Sequence, residues 1–131
     1  VGPKDVAANQ VVIARRDKGP KEKQKVSFEG LKETILDLLK DIQHSMFNDA
    51  LKFREENSHR IETYDEFKDV IENQLGFLYA HWCGDNACEQ AIQEETKATI
   101  RCIPLDQEEE SGTCIYCGKP SSKRAPFAKA Y

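Results

Sequence analysis

The sequence predicts an α+β fold, a small mixed sheet with packed helices, preceded by one long N-terminal connecting helix. Three observations predict it. Apolar residues recur at three, four or seven positions across residues 27–57, the spacing of one helical face. Beyond them, short aromatic and β-branched runs alternate with helix-forming runs. The second half also carries two close cysteine pairs, which would staple a domain small for its solvent-exposed area.

The elements follow in order. Gly2-Pro3-Lys4-Asp5 reads as a turn, and the β-branched run Val11-Val12-Ile13-Ala14 as a strand with no visible partner. From Arg15 to Lys25 six basic residues stand against two acidic ones around Gly19-Pro20. This stretch reads as a solvated hairpin tip or linker, or as a contact to an RNA backbone through Arg15, Arg16, Lys18 and Lys21. Ser27 is expected to open the long helix, with Leu31, Ile35, Leu38, Ile42, Met46 and Phe53 on its apolar stripe and an end near Asn57. At 1.5 Å per residue its length is about 45 Å. Leu39, Phe47 and Leu51 widen the stripe, which suggests burial on two sides. His44 and His59 read as surface residues within or at the end of this helix.

Thr63-Tyr64-Asp65-Glu66 fits a capping box, with Glu66 reaching back to the cap's own N–H, and starts a second helix that turns Phe67, Val70 and Ile71 inward. Phe77 to Trp82 is strand-like, and Asp85 is a plausible cap for a third helix ending at Thr96. Ala98, Ile100 and Cys102 alternate with Thr99, Arg101 and Ile103 in a strand ended by Pro104, which makes Cys102 a buried thiol. Residues 106–111, with Glu108, Glu109 and Glu110, read as an acidic loop of solvated charge. A terminal strand, Ala125 to Tyr131, puts Phe127 and Tyr131 on one side.

A chain of 131 residues is enough for one domain or two small modules. The net charge of −4 and a pI near 5.4 argue against attachment to nucleic acid by bulk charge, and a hydrophobic fraction of 39% argues against wholesale disorder. No apolar run approaches a membrane span, and no basic-then-apolar signal opens the chain, so no membrane partner and no secretion are expected. The start at Val1 suggests processing or excision from a longer polypeptide.

Cys83 and Cys88 form a C-x4-C and Cys114 and Cys117 a C-x2-C, with 25 residues between the pairs. Four thiolates in two close pairs are the pattern of a tetrahedral structural zinc site; the alternatives are free thiols, a disulfide pair or a redox C-x2-C, and the last would open a helix rather than run into Gly118-Lys119-Pro120. Gly118 lets the chain turn close to the sulfurs, and the position of Cys88 at a helix N-terminus would make its thiol more acidic. His81 could replace a ligand, but its strand alternation with Tyr79 favours the four cysteines. Four filled positions leave no open site for catalysis, so no catalytic residue is assigned.

Gly2-Pro3-Lys4-Asp5 followed by Gln10-Val11-Val12-Ile13-Ala14-Arg15-Arg16-Asp17 resembles the end of the anticodon-binding domain of prolyl-tRNA synthetases of the archaeal and eukaryotic type. Phe53-Arg54-Glu55-Glu56-Asn57, Trp82-Cys83-Gly84-Asp85 with Cys88, Arg101-Cys102-Ile103-Pro104, and Cys114 with Cys117-Gly118-Lys119 resemble that family's zinc-binding C-terminal domain. Phe127-Ala128-Lys129-Ala130-Tyr131 is similar to its terminus. The resemblance implies three segments: residues 1–26 as the end of the anticodon-binding domain, 27–61 as a long connecting helix, and 62–131 as the zinc-binding domain. It also implies a class II ligase, a cytoplasmic homodimer that uses ATP and proline to charge tRNA-Pro. Zinc would sit on Cys83, Cys88, Cys114 and Cys117, and Tyr131 would run toward the active site of a catalytic core that this chain lacks. The alternative from the residues alone is a free-standing zinc module that binds RNA or a protein partner, using the basic stretch and Lys119, Lys123, Arg124 and Lys129.

Overall fold

The computed structural model describes residues 1–19, 21–74 and 76–129. Tyr131, and with it the end of the expected terminal strand, lies outside the described residues. The chain divides into two units, Val1–Phe53 and Arg54–Tyr131.

In the first unit, Pro3–Ala7 form a short helix α1 where a turn was expected. Proline's fixed φ suits a first helical turn, and the Asp5 carboxylate accepts the Gly2 N–H at 2.8 Å. Strand β1, Gln10–Ala14, has a partner after all: it pairs antiparallel with β2, Lys23–Ser27, with Gln10 opposite Ser27 and Ala14 opposite Lys23. Ser27 therefore ends a strand instead of opening the helix. Helix α2 runs Leu31–Glu56, and the boundary between the units falls inside it. No residue of α2 is buried, so the two-sided burial expected of it fails; Leu36, Leu39, Met46 and Phe47 are each about half exposed or more. Val11 is the one buried residue of this unit among the described residues.

The second unit is built around a four-stranded sheet. Its strands are β3 (Ser58–Arg60), β4 (Phe77–His81), β5 (Ala98–Ile100) and β8 (Arg124–Lys129), in the order β3-β4-β8-β5. The β3–β4 pair is parallel and the other two antiparallel, so the sheet is mixed as expected. His59 belongs to half-buried β3, not to the end of the long helix. Helices α3 (Tyr64–Asn73) and α4 (Asn86–Thr96) complete the layer against it.

Thr63 caps α3 by accepting the Glu66 N–H at 3.3 Å, while the Glu66 carboxylate takes the N–H of Glu62 rather than that of the cap itself. Asp85 caps α4 by accepting the Ala87 N–H at 3.0 Å. Phe67, Val70 and Ile71 of α3, Leu78 and Ala80 of β4, Ile92 of α4 and Phe127 of β8 lie in one buried cluster. The rings of Phe67 and Phe127 meet edge to face at 5.3 Å. β5 ends at Ile100, so Cys102 escapes the apolar face assigned to it and is exposed. A small hairpin, β6 (Gly112–Thr113) with β7 (Pro120–Ser121), holds the second cysteine pair at its tip.

Candidate metal centre

The two cysteine pairs arrive from different elements. Cys83 follows β4, and Cys88 lies in the first turn of α4, whose N-terminus Asp85 fixes. Cys114 and Cys117 sit on the turn between β6 and β7. There the Gly118 N–H reaches Cys114 O at 2.9 Å and the Cys114 N–H reaches Lys119 O at 2.8 Å. Gly118 adopts φ +72°, in the left-handed region where a side chain is strained. The hairpin docks on the sheet by the Ile115 N–H to His81 O at 2.9 Å.

All four sulfurs lie within 4.8 Å of one another. Cys83 Sγ is 3.7 Å from both Cys88 Sγ and Cys117 Sγ. Sulfurs at the corners of a tetrahedron with Zn–S of about 2.3 Å stand about 3.8 Å apart, so the donor set fits a zinc ion. Cys88 and Cys114 are buried, Cys83 is half-buried and Cys117 exposed.

The thiols are uneven in acidity. Burial pushes Cys88 well up, the opposite of what its helix N-terminus suggested, and burial also raises Cys83. Burial acts the same way on Cys114, but the backbone N–H groups of Cys117, Tyr116 and Cys83 outweigh it and bring that thiol down to about 7. A cation among the sulfurs offsets the cost that burial puts on the anionic forms.

Around the sulfurs, Lys119 meets Asp85 at 3.3 Å and so links the two cysteine segments. Tyr116, between Cys114 and Cys117, donates to one oxygen of Glu95 at 3.0 Å while Tyr64 donates to the other at 2.9 Å. The two rings pack edge to face. His81 is not among the clustered sulfurs: its ring is buried, with Nδ1 3.2 Å from Ser121 Oγ. A Cβ added at Gly112 would stand 2.2 Å from His81 Nε2, so the hairpin backbone lies against that ring.

Beside the hairpin, Arg124 is 7% exposed, and its guanidinium is fully engaged. It donates to the carbonyls of Ile61 at 2.9 Å and Tyr79 at 3.2 Å, to Glu62 at 2.7 Å, and to both oxygens of Glu110 at 3.0 and 3.1 Å. Arg60 adds a second cation to Glu110 at 2.5 Å. The hydrogen bonds from Arg124 and Arg60 hold the Glu110 carboxyl down at about 2. Arg124 is thus no part of an exposed RNA-binding tail, and Glu110 is not merely solvated charge. Nothing in the local sequence marks this cluster, because its acids come from distant positions.

In the other unit, Arg15 is held by Asp17 at 2.6 Å and by Asp41, whereas Arg16, Lys18 and Lys21 are exposed. Among the described residues no helix is long and apolar enough to cross a membrane.

A small α+β domain whose four cysteines converge from the β4–α4 junction and the β6–β7 turn defines a cysteine-clustered module that could hold a metal ion. A family model described as "Prolyl-tRNA synthetase, C-terminal" matches residues 64–131, and the chain belongs to that family. Along its whole length it is 48% identical to a proline–tRNA ligase of Flavobacterium johnsoniae and 45% identical to proline–tRNA ligase 2 of Clostridioides difficile, of which it covers 26% and 27%. The chain thus spans about a quarter of the length of these relatives. It also superimposes in full on 27% of the crystal structure of prolyl-tRNA synthetase from Cryptosporidium parvum complexed with halofuginone and AMPPNP, with a TM-score of 0.88 at 29% identity.

Proposed function

We propose that the chain serves as the C-terminal region of a proline–tRNA ligase, a structural zinc module supporting a class II core that activates proline with ATP and charges tRNA-Pro. The convergence of four sulfurs within 4.8 Å, in a chain that aligns end to end with about a quarter of enzymes so named and whose residues 64–131 match the C-terminal family model, carries this reading. Cys83, Cys88, Cys114 and Cys117 hold the ion. Zinc supplies charge neutralisation for four thiolates and no open coordination position, so its role is to tie two loops together.

In this reading residues 1–26 end an anticodon-binding domain, 27–61 connect, and 62–131 form the zinc-binding domain. The start of the family match at residue 64 supports the last boundary to within a few residues, while β3 (Ser58–Arg60) and buried Ile61 carry the sheet domain back into the connecting segment. Arg16, Lys18 and Lys21 are free to meet RNA phosphates, while Arg15 braces the hairpin that presents them. By the family resemblance Tyr131 has a positioning role at the core's active site, and the parent is a cytoplasmic homodimer.

Elemental analysis with X-ray absorption of the purified chain tests the module: one zinc per chain with sulfur-only ligation at about 2.3 Å is expected. A folded, reduced, metal-free protein refutes it. The isolated chain should give no proline-dependent pyrophosphate exchange, and removing Tyr131 from the parent should lower proline activation several-fold at unchanged zinc content.

A further inference from the structure

We propose that Cys117 and Cys83 form a peroxide-oxidisable pair whose disulfide expels the metal, a modification site joining the two cysteine segments. The proposal rests on the zinc reading above, and three observations carry it.

The first is accessibility. Of the four clustered thiols only Cys117 is exposed, Cys83 is half-buried, and Cys88 and Cys114 retain 5% and 3% of their surface. A two-electron oxidant such as hydrogen peroxide therefore meets Cys117 first. The second is proximity: Cys83 Sγ lies 3.7 Å from Cys117 Sγ, near enough to attack once Cys117 is oxidised. The third is solvent. The departing hydroxide must leave into water, which borders Cys83 and Cys117 but is shut out from Cys88 and Cys114.

The chemistry balances in two steps. The Cys117 thiolate attacks peroxide, forming an S–O bond as the O–O bond breaks; the sulfur loses two electrons to give a sulfenic acid, and hydroxide departs. The Cys83 thiolate then attacks that sulfur, forming the S–S bond as the S–O bond breaks, and a second hydroxide departs. The sum is two thiolates and one peroxide giving one disulfide and two hydroxides. Only Cys88 and Cys114 remain as ligands, too few to hold a tetrahedral ion. Cys102 is exposed but lies outside the cluster and takes no part.

The test uses the metal-loaded protein carrying Cys102→Ser, or the wild type with Cys102 alkylated beforehand if that variant folds poorly. Metal is assayed before oxidant is added, so absence of zinc at this stage refutes the metal reading and is distinguishable from failure of the pair. Hydrogen peroxide is then titrated against a chromogenic zinc indicator. Free thiols are alkylated, and the chain is cleaved before Asp85 and after Tyr116, cuts that separate Cys83 from Cys88 and Cys114 from Cys117. We expect one zinc released for every two thiols lost, a peptide pair joined through Cys83 and Cys117, alkylated Cys88 and Cys114, and full reversal by dithiothreitol with zinc. Peroxide consumption with the metal retained, or a principal disulfide within either segment, overturns the proposal.

Discussion

The two helices α2 and α3 are both amphipathic, yet they end in opposite conditions. Phe67, Val70 and Ile71 of α3 are buried against a sheet, and ten hydrophobic residues of the second unit share one buried cluster. Leu36, Leu39, Met46 and Phe47 of α2 carry as much apolar surface and bury little of it, and among the described residues of the first unit only Val11 is buried. A hydrophobic stripe is an unmet requirement until a facing layer covers it. The second unit has strands β4 and β8 for that purpose, while the first offers a two-stranded hairpin and a five-residue helix. Apolar content therefore says which face is to be covered, and topology says whether this chain does the covering.

Metal removal should separate the units most sharply. Chelation, or Cys114→Ser, is expected to abolish cooperative unfolding of the second unit as read by near-UV signals from Trp82, because binding of such a metal is folding free energy. Helical far-UV signal from the α2 stretch should persist in part. Loss of both signals together would end the distinction between the units.

Core truncation comes next. Phe127→Ala, at a fully buried position, should cost about 3–5 kcal/mol in urea unfolding. Phe47→Ala, at a side chain 60% exposed, should change stability by no more than about 0.5 kcal/mol. Equal costs would mean that the α2 face is covered in solution. Arg124→Gln should cost about 1–3 kcal/mol, since the carbonyls of Ile61 and Tyr79 lose their donor in a buried site.

The smallest effect is expected at Glu110, whose carboxyl is partly solvated. Its folded pKa of about 2 lies below the ordinary value of 4.5, so its ion pairs stabilise the fold above pH about 4.5 and cease to do so as pH falls through about 2. The stability gap between wild type and Glu110→Gln should close across that window. Acid release of the metal unfolds this unit in both proteins, so the gap is read over the part of the window in which the metal remains bound.

The cysteine cluster was legible in the sequence because few residue types ligate zinc and both segments are short. The α3 and α4 caps were legible because Thr63 and Asp85 act on N–H groups two or three residues away. Strands β2 and β3 were not, since Lys23-Gln24-Lys25 and Ser58-His59-Arg60 carry no apolar alternation and become strands only through a partner already in place. The same limit hid Arg124, whose carboxylate partners lie 62 and 14 residues away. Cys102 was misread because alternation continued on paper beyond Ile100, where the pairing with β8 stops. Local chemistry is readable from local sequence; a role that depends on a distant partner is not.

Strand β8 occupies an interior position of its sheet, hydrogen-bonded to β4 on one side and β5 on the other, yet it is synthesised after both. While a ribosome is extending the chain, β4 and β5 present two open edges across a gap that only β8 can fill. The sheet therefore cannot grow strand by strand during translation, and its assembly waits for the stretch beginning at Arg124. Until then Leu78 and Ala80 lack their partners Phe127 and Ala125. For as long as that slot stays empty the apolar faces of β4 and β5 stay open, and a premature stop shortly before Arg124 removes the middle of the sheet rather than trimming its edge.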